Sequence, residues 1–198
     1  MILASSSPRR RDLMQQLGVP HTVFRPDVDE TALPGESPLD TQHRITLEKA
    51  RAPRAGPDEV VIAADTTVLL DGEMLNKPVD KEDAWAMLRR LRGRTHEVQT
   101  CIVIKHGAHE WREIVSSVVT MRDYSDEEIG AYIATGDPFD KAGSYAVQHP
   151  IFNPVASIQG CPLNVIGLPL CRLRTHLTYL PDPVKICTEF WGCACNQS

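Results

Sequence analysis

No apolar run in the 198-residue chain approaches the roughly 20 residues that a membrane-spanning helix needs. The start also lacks the apolar core of a signal peptide, since charge arrives at Arg9 before one could form. Both absences predict a cytoplasmic protein with no membrane partner. There is no basic excess either. The net charge is -5, so general affinity for nucleic acid is not expected, and any basic site must be local. Neither G-x-x-x-x-G-K-[ST] nor G-x-G-x-x-G occurs, which disfavours a P-loop or dinucleotide-binding enzyme. Cysteine is sparse along most of the chain. Cys101, Cys161 and Cys171 lie in apolar surroundings and read as reduced core residues. Cys187, Cys193 and Cys195 crowd the C-terminal end, where no clear fourth ligand accompanies them. They suit a soft metal or, more simply, a frayed tail or redox chemistry of exposed thiols. The remaining composition is that of a globular protein, 42% hydrophobic and 24% charged, with enough residues for a substantial core.

The chain opens on chemistry. Residues 1–4 are a short apolar run that reads as a buried strand. Ser5, Ser6 and Ser7 end it with small hydroxyl residues suited to a turn and a helix N-cap. Pro8 stands where the first helical residue belongs, and Arg9, Arg10 and Arg11 fill the first turn. Three cations there oppose the positive end of the helix dipole, so a structural helix gains nothing from them. Strand, serine turn, free N–H groups and arginines together read as an anion site, most simply for phosphate. A solvated basic turn is the blander alternative. Leu13, Met14 and Leu17 continue the helix until Gly18, and residues 21–24 read as a short strand. An acidic loop follows. Its Asp27, Asp29 and Glu30 suit either plain solvation or a divalent cation beside a triphosphate.

Residues 38–52 have helical spacing, with Lys49 near the end. Residues 60–70 are the most apolar run in the chain. They are β-branched and end at Asp71-Gly72, so they read as a central strand closed by a hairpin turn. Asp65 interrupts this run. A carboxylate inside a buried strand is costly unless it is paired, metal-bound or functional. Capping of the strand end is the structural alternative, but Thr66 and Thr67 continue the extended pattern past it. Lys77 sits on a loop beside Pro78. Asp80 then caps a helix that runs to Gly93, with Asp83 three positions on. Residues 97–104 and 113–119 read as a strand pair around a turn at 106–108. Ser125 caps a further helix running to about residue 134. The segment from Asp140 and Lys141 through Tyr145 to Gln148 combines a lysine, small residues and a strand-like run, which suggests the wall of a pocket.

Several of these segments, in order, resemble the Maf family of nucleotide pyrophosphatases. They are Ser5-Ser6-Ser7-Pro8-Arg9-Arg10, Glu30 after Val28-Asp29, Lys49-Ala50, Ala64-Asp65-Thr66 and Lys77-Pro78. The matches continue with Asp140-Lys141-Ala142-Gly143-Ser144-Tyr145 plus Gln148, and with Asn164-Val165-Ile166-Gly167-Leu168-Pro169. The segment ending in Gln148 is similar to the branch of the family that acts on dTTP and UTP. His149-Pro150 departs from it, since a glycine commonly follows the glutamine there, and Cys161-Pro162 is a second departure. The resemblance covers residues 1–178 and leaves a cysteine-rich tail at 179–198. It implies a single α/β domain of the Maf/ITPase type, with a long twisted mixed sheet, flanking helices and a deep central cleft. It implies a homodimer. It implies metal-assisted attack of water on the α-phosphorus of dTTP, UTP or a modified pyrimidine nucleotide, giving the monophosphate and pyrophosphate. Asp65 would be the general base and would share Mg2+ or Mn2+ with Glu30. Ser7, Arg9, Arg10, Lys49, Thr66, Lys77 and Lys141 would bind the substrate, and Gln148 the base. A non-catalytic nucleotide-binding regulator of cell division on the same scaffold is the alternative.

Overall fold

The computed structural model describes residues 1–183 and Ile186. Apart from those few residues, the expected tail, with Cys187, Cys193 and Cys195, lies outside the described residues. The frame is a seven-stranded mixed sheet. Its strands are β1 (Ile2–Ala4), β2 (Thr22–Phe24), β3 (Val60–Leu70), β4 (Glu73–Leu75), β5 (Thr95–His106), β6 (His109–Met121) and β7 (Val155–Gln159). They lie in the order β2-β1-β3-β5-β6-β7, with β4 also paired to β3. β1 runs parallel to β2 and β3, and every other pair is antiparallel. The expected mixed sheet with flanking helices is therefore present.

Alternation along β3 divides the core. Val60, Ile62, Ala64, Val68 and Leu70 point into the large cluster, together with Leu13, Met14 and Leu88. Val61 and Ala63 point the other way, to a smaller cluster with Ile2, Ala4, Ala50 and Val103. α1 (Pro8–Gln16) and α3 (Lys81–Leu91) thus cover one face, and α2 (Pro38–Arg51) covers the other. Caps fix the helix starts. The Asp80 carboxylate accepts the Asp83 N–H at 2.8 Å, as expected. Ser125 and Glu128 form a reciprocal capping box at the start of α4 (Asp126–Ala134). Ser7 differs from expectation. It holds the N-cap position of α1, but its side chain makes no capping bond.

Three further expectations change. The β5–β6 ribbon is longer than its apolar residues suggested, because paired polar residues extend it to His106 opposite His109. Only Gly107, in the left-handed region at φ 59°, and Ala108 are left for the turn. The run after Gly143 is no strand. Two short 3₁₀ turns (Asp137–Asp140 and Ala142–Ser144) lead into irregular chain, and Gln148 lies in a turn. The last family-like motif folds as α5 (Pro162–Ile166) and leads into α6 (Leu170–His176), two short helices that its apolar run did not reveal.

Candidate active site

The sheet has a gap, and the gap is the site. β1 and β4 share one edge of β3. β1 pairs with Val61 to Ala63, and β4 with Val68 to Leu70. Neither pairs with Ala64 to Thr67, so that edge of the strand is open at Asp65. A cavity of about 560 Å³ fills the opening. Ten residues singled out from the sequence line it, Ser7, Arg9, Arg10, Glu30, Lys49, Asp65, Thr66, Lys77, Lys141 and Gln148, whereas Asp27 and Asp29 of the acidic loop do not. Its other lining is largely apolar, including Val68, Leu75, Val98, Tyr145, Val147 and Ile166. The lining is thus part ionic and part apolar. That division suits a ligand with a polyanionic tail and a flat ring.

In the ionic part, the buried Lys49 ammonium lies 2.7 Å from Asp65 Oδ1 and 2.7 Å from Glu30 Oε1. Two carboxylates from distant segments thus already converge on one cation. Oδ2 of Asp65 makes no hydrogen bond among the described residues. Burial works to raise the pKa of Glu30, but the hydrogen bond and charge of Lys49, with Lys77 and Arg10 further off, hold it below its usual value. The loop that carries Glu30 is pinned to α2. Arg44 grips Glu36 at 2.7 and 3.0 Å and donates to the Thr31 carbonyl at 2.8 Å. That grip, the largest cause, brings the Glu36 pKa down to about 2. Gln42 supports Asp65 from behind. Its amide nitrogen donates to the Asp65 carbonyl at 3.1 Å and the Gln99 carbonyl at 3.0 Å. Helical periodicity placed Gln42 nowhere in particular; only a buried amide on a helix face (2% exposed) could have flagged it.

Thr66 faces the opposite side and joins a closed network. Arg10 donates to the Gly167 carbonyl at 2.7 Å, to Thr66 Oγ1 at 2.9 Å and to Ser5 Oγ at 3.3 Å. Thr100 gives its one hydroxyl hydrogen to the Asn164 carbonyl at 2.9 Å, so the 2.9 Å bond between the two threonines runs from Thr66 to Thr100. Burial pulls the Arg10 pKa below its usual value, and the charge of Asp65 opposes this. Gly167 is required here. Its φ is 121°, and a Cβ would sit 3.2 Å from Thr66 Oγ1 and 3.4 Å from Arg10 Nε.

The remaining cations differ in freedom. Lys141 is buried and saturated, with bonds to the Asp137 carbonyl (2.6 Å), Asp137 Oδ1 (2.8 Å) and Asp140 Oδ1 (2.6 Å). Arg9 reaches Asp140 at 3.5 Å. Lys77 is exposed and has no ion pair or hydrogen bond among the described residues, and neither does the Ser7 hydroxyl. Gln148 is exposed at the cavity rim. Behind it, Tyr145 is held through its hydroxyl by the buried His96 at 2.7 Å. Among the described residues, no group of three or more His, Cys, Asp and Glu side chains could hold a metal alone. The donor set of Glu30 and Asp65 is hard oxygen, which fits a Mg2+- or Mn2+-class ion completed by substrate and water. No helix of the described residues is long and apolar enough to cross a membrane.

Known proteins resemble the chain over most of its length. The model of the Maf-like protein family matches residues 1–180. A dTTP/UTP pyrophosphatase of Symbiobacterium thermophilum is 44% identical over 185 residues, 93% of this chain and 95% of that protein. One from Anaeromyxobacter dehalogenans is 47% identical, covering 89% and 92%. One from Cereibacter sphaeroides is 43% identical, covering 93% and 96%. The structure of the Staphylococcus aureus Ham1 protein superposes with a TM-score of 0.51 over 89% of this chain and 97% of that one, at 15% identity, a likeness of fold.

Proposed function

The chain belongs to the Maf family, and from this premise we propose that it is a nucleoside triphosphate pyrophosphatase acting on dTTP, UTP and modified pyrimidine nucleotides. The observation that carries the proposal is the Asp65–Lys49–Glu30 constellation, set in a gap of the sheet and facing a serine turn across one cavity. In this reading Asp65 takes a proton from water through Oδ2, its unengaged oxygen. The water oxygen bonds to the α-phosphorus, and the bond to the bridging oxygen breaks. Pyrophosphate and the nucleoside monophosphate are released. Charge on the leaving group is met by Arg9 and Lys77, by Lys141 once it exchanges a carboxylate for phosphate, and by the serine turn with its first helical N–H groups. Lys49 keeps Asp65 and Glu30 in register. Arg10 fixes Ser5 and Thr66 with part of its guanidinium and has N–H groups left for a phosphate oxygen.

Glu30 and Asp65 would hold a divalent cation, which when bound supplies Lewis-acid neutralisation of phosphate charge. The apolar part takes the ring, and the amide of Gln148 offers a donor and an acceptor to its edge. The cytoplasmic location and homodimer expected from the sequence belong to the same proposal; equilibrium sedimentation tests the second.

The test is pyrophosphate release from dTTP, UTP, CTP, ATP and GTP with Mg2+ or Mn2+. Fastest turnover of dTTP and UTP is expected. Binding without turnover of any triphosphate would replace this reading with that of a nucleotide-binding regulator.

A further inference from the structure

Behind the cavity wall that carries Gln148 lies a buried group that the proposed reaction does not use. Tyr132 on α4 is 2% exposed. Its ring stacks on Phe152, with centroids 4.4 Å apart, and meets His149 edge-on at 4.8 Å. Its hydroxyl has a partner on each side. It donates to Asp137 Oδ2 at 2.6 Å and accepts the Ala146 N–H at 3.0 Å. The other oxygen of Asp137 accepts from Lys141 at 2.8 Å. Neither Tyr132 nor Asp137 lines the cavity, whereas Lys141 and Ala146 both do. A run of three hydrogen bonds therefore passes behind the cavity, from a lysine of its ionic part to the backbone of its apolar wall.

That wall needs such an anchor. Residues 145–148 pair with no strand. Apart from the packing of Tyr145 and Val147 in the core, their position is set by point attachments: the Tyr145 hydroxyl on His96, the Ala146 N–H on Tyr132, and the His149 N–H on the Ala146 carbonyl at 3.2 Å. Ala146 is buried, so without the tyrosine hydroxyl its N–H would be left unpaired away from water, and the wall would shift to satisfy it.

We infer that Tyr132, held by Asp137, is a positioning residue that sets the 145–148 wall against the phosphate end and thereby fixes base selectivity without touching the substrate. This rests on the pyrimidine reading above.

Tyr132→Phe tests it, because the ring and its stacking are retained. The ratio of kcat/KM for UTP to that for GTP should fall about tenfold, which corresponds to one lost buried hydrogen bond. The inhibition constant of inorganic tripolyphosphate should stay within about twofold, since Arg9, Lys77 and the serine turn are untouched. An unchanged ratio in the folded variant would overturn the inference. So would equal losses on UTP and GTP together with weaker tripolyphosphate binding, the pattern of general destabilisation. Should Tyr132→Phe not fold, Asp137→Ala removes the acceptor from a side chain that is 33% exposed, and the same fall in ratio is required of it. Calorimetric binding of UMP and GMP to each protein reads the preference without turnover. A wild type that prefers neither would overturn the pyrimidine reading and this inference with it. A wild type that prefers UMP, with variants that prefer it equally, would overturn this inference alone.

Discussion

Asp65 and Thr66 are consecutive residues of one strand, both line the same cavity, and they do opposite things. Asp65 looks toward α2, shares a lysine with Glu30 and keeps one oxygen unengaged. Thr66 looks the other way and is locked between Arg10 and Thr100 in a network that ends on the carbonyls of Asn164 and Gly167. The open side has chemical capacity to spare. The closed side spends its polar groups on itself. Charge alone therefore does not mark the reacting end: Arg10 lines the cavity, yet it gives three N–H groups to Gly167, Thr66 and Ser5. If this contrast holds, changes on the open side should remove turnover and spare stability, and changes on the closed side should do the reverse.

The sharpest break is Asp65→Asn. It should lower kcat for dTTP roughly 10² to 10⁴-fold, the usual worth of a general base, and leave the melting temperature within a few degrees. Activity within a few-fold of wild type would remove Asp65 from that role.

The closed side also carries His96, whose pKa burial brings down from 6.5 to about 4. Between those values the unfolded chain holds a proton that the folded chain does not. Stability therefore rises with pH across that window and is lost as pH falls through it. The full difference is roughly 3 kcal/mol. Chemical denaturation at a series of pH values should show this slope, and His96→Gln should flatten it.

Gly167→Ala should follow, costing roughly 1–3 kcal/mol of stability through the positive φ and the crowding of Arg10 and Thr66. Its kcat at a temperature where it is folded should stay near wild type. A large fall in kcat with normal melting would erase the distinction between the two sides.

The smallest effect is expected of Arg9→Ala. Its 3.5 Å pairing with Asp140 is half-exposed, so stability should not change measurably, while the KM for dTTP should rise a few-fold. An unchanged KM for every triphosphate would count against an arginine clamp at this position.

Much of the open side was legible in the sequence. An aspartate in an apolar β-branched run stands out by its cost, and arginines behind a serine turn stand out by their misfit with the helix dipole; Asp65, Arg9 and Arg10 line the cavity. The helix caps at Asp80 and Ser125 were legible because their partners lie three residues away. The closed side was not, because its partners are remote. Arg10 finds Gly167 157 residues on, and even on the open side Gln42 finds the carbonyl of Gln99 57 residues on. No local pattern records such contacts. The family resemblance implies substrate binding by Lys141, and only coordinates show that it is already held by Asp137 and Asp140. The run through Gln148 has the composition of a strand, yet it has no strand to pair with. Side-chain anchors from α4 and β5 hold it instead.

The central claim is that Asp65 directs water at the α-phosphorus in the gap of the sheet. Turnover of dTTP in ¹⁸O-labelled water, followed by mass spectrometry of both products, tests it most directly. The expected result is that the label enters the thymidine monophosphate and not the pyrophosphate, and that Asp65→Asn slows its entry roughly 10² to 10⁴-fold. Label in the pyrophosphate, or label entering the monophosphate at an undiminished rate in Asp65→Asn, would contradict it.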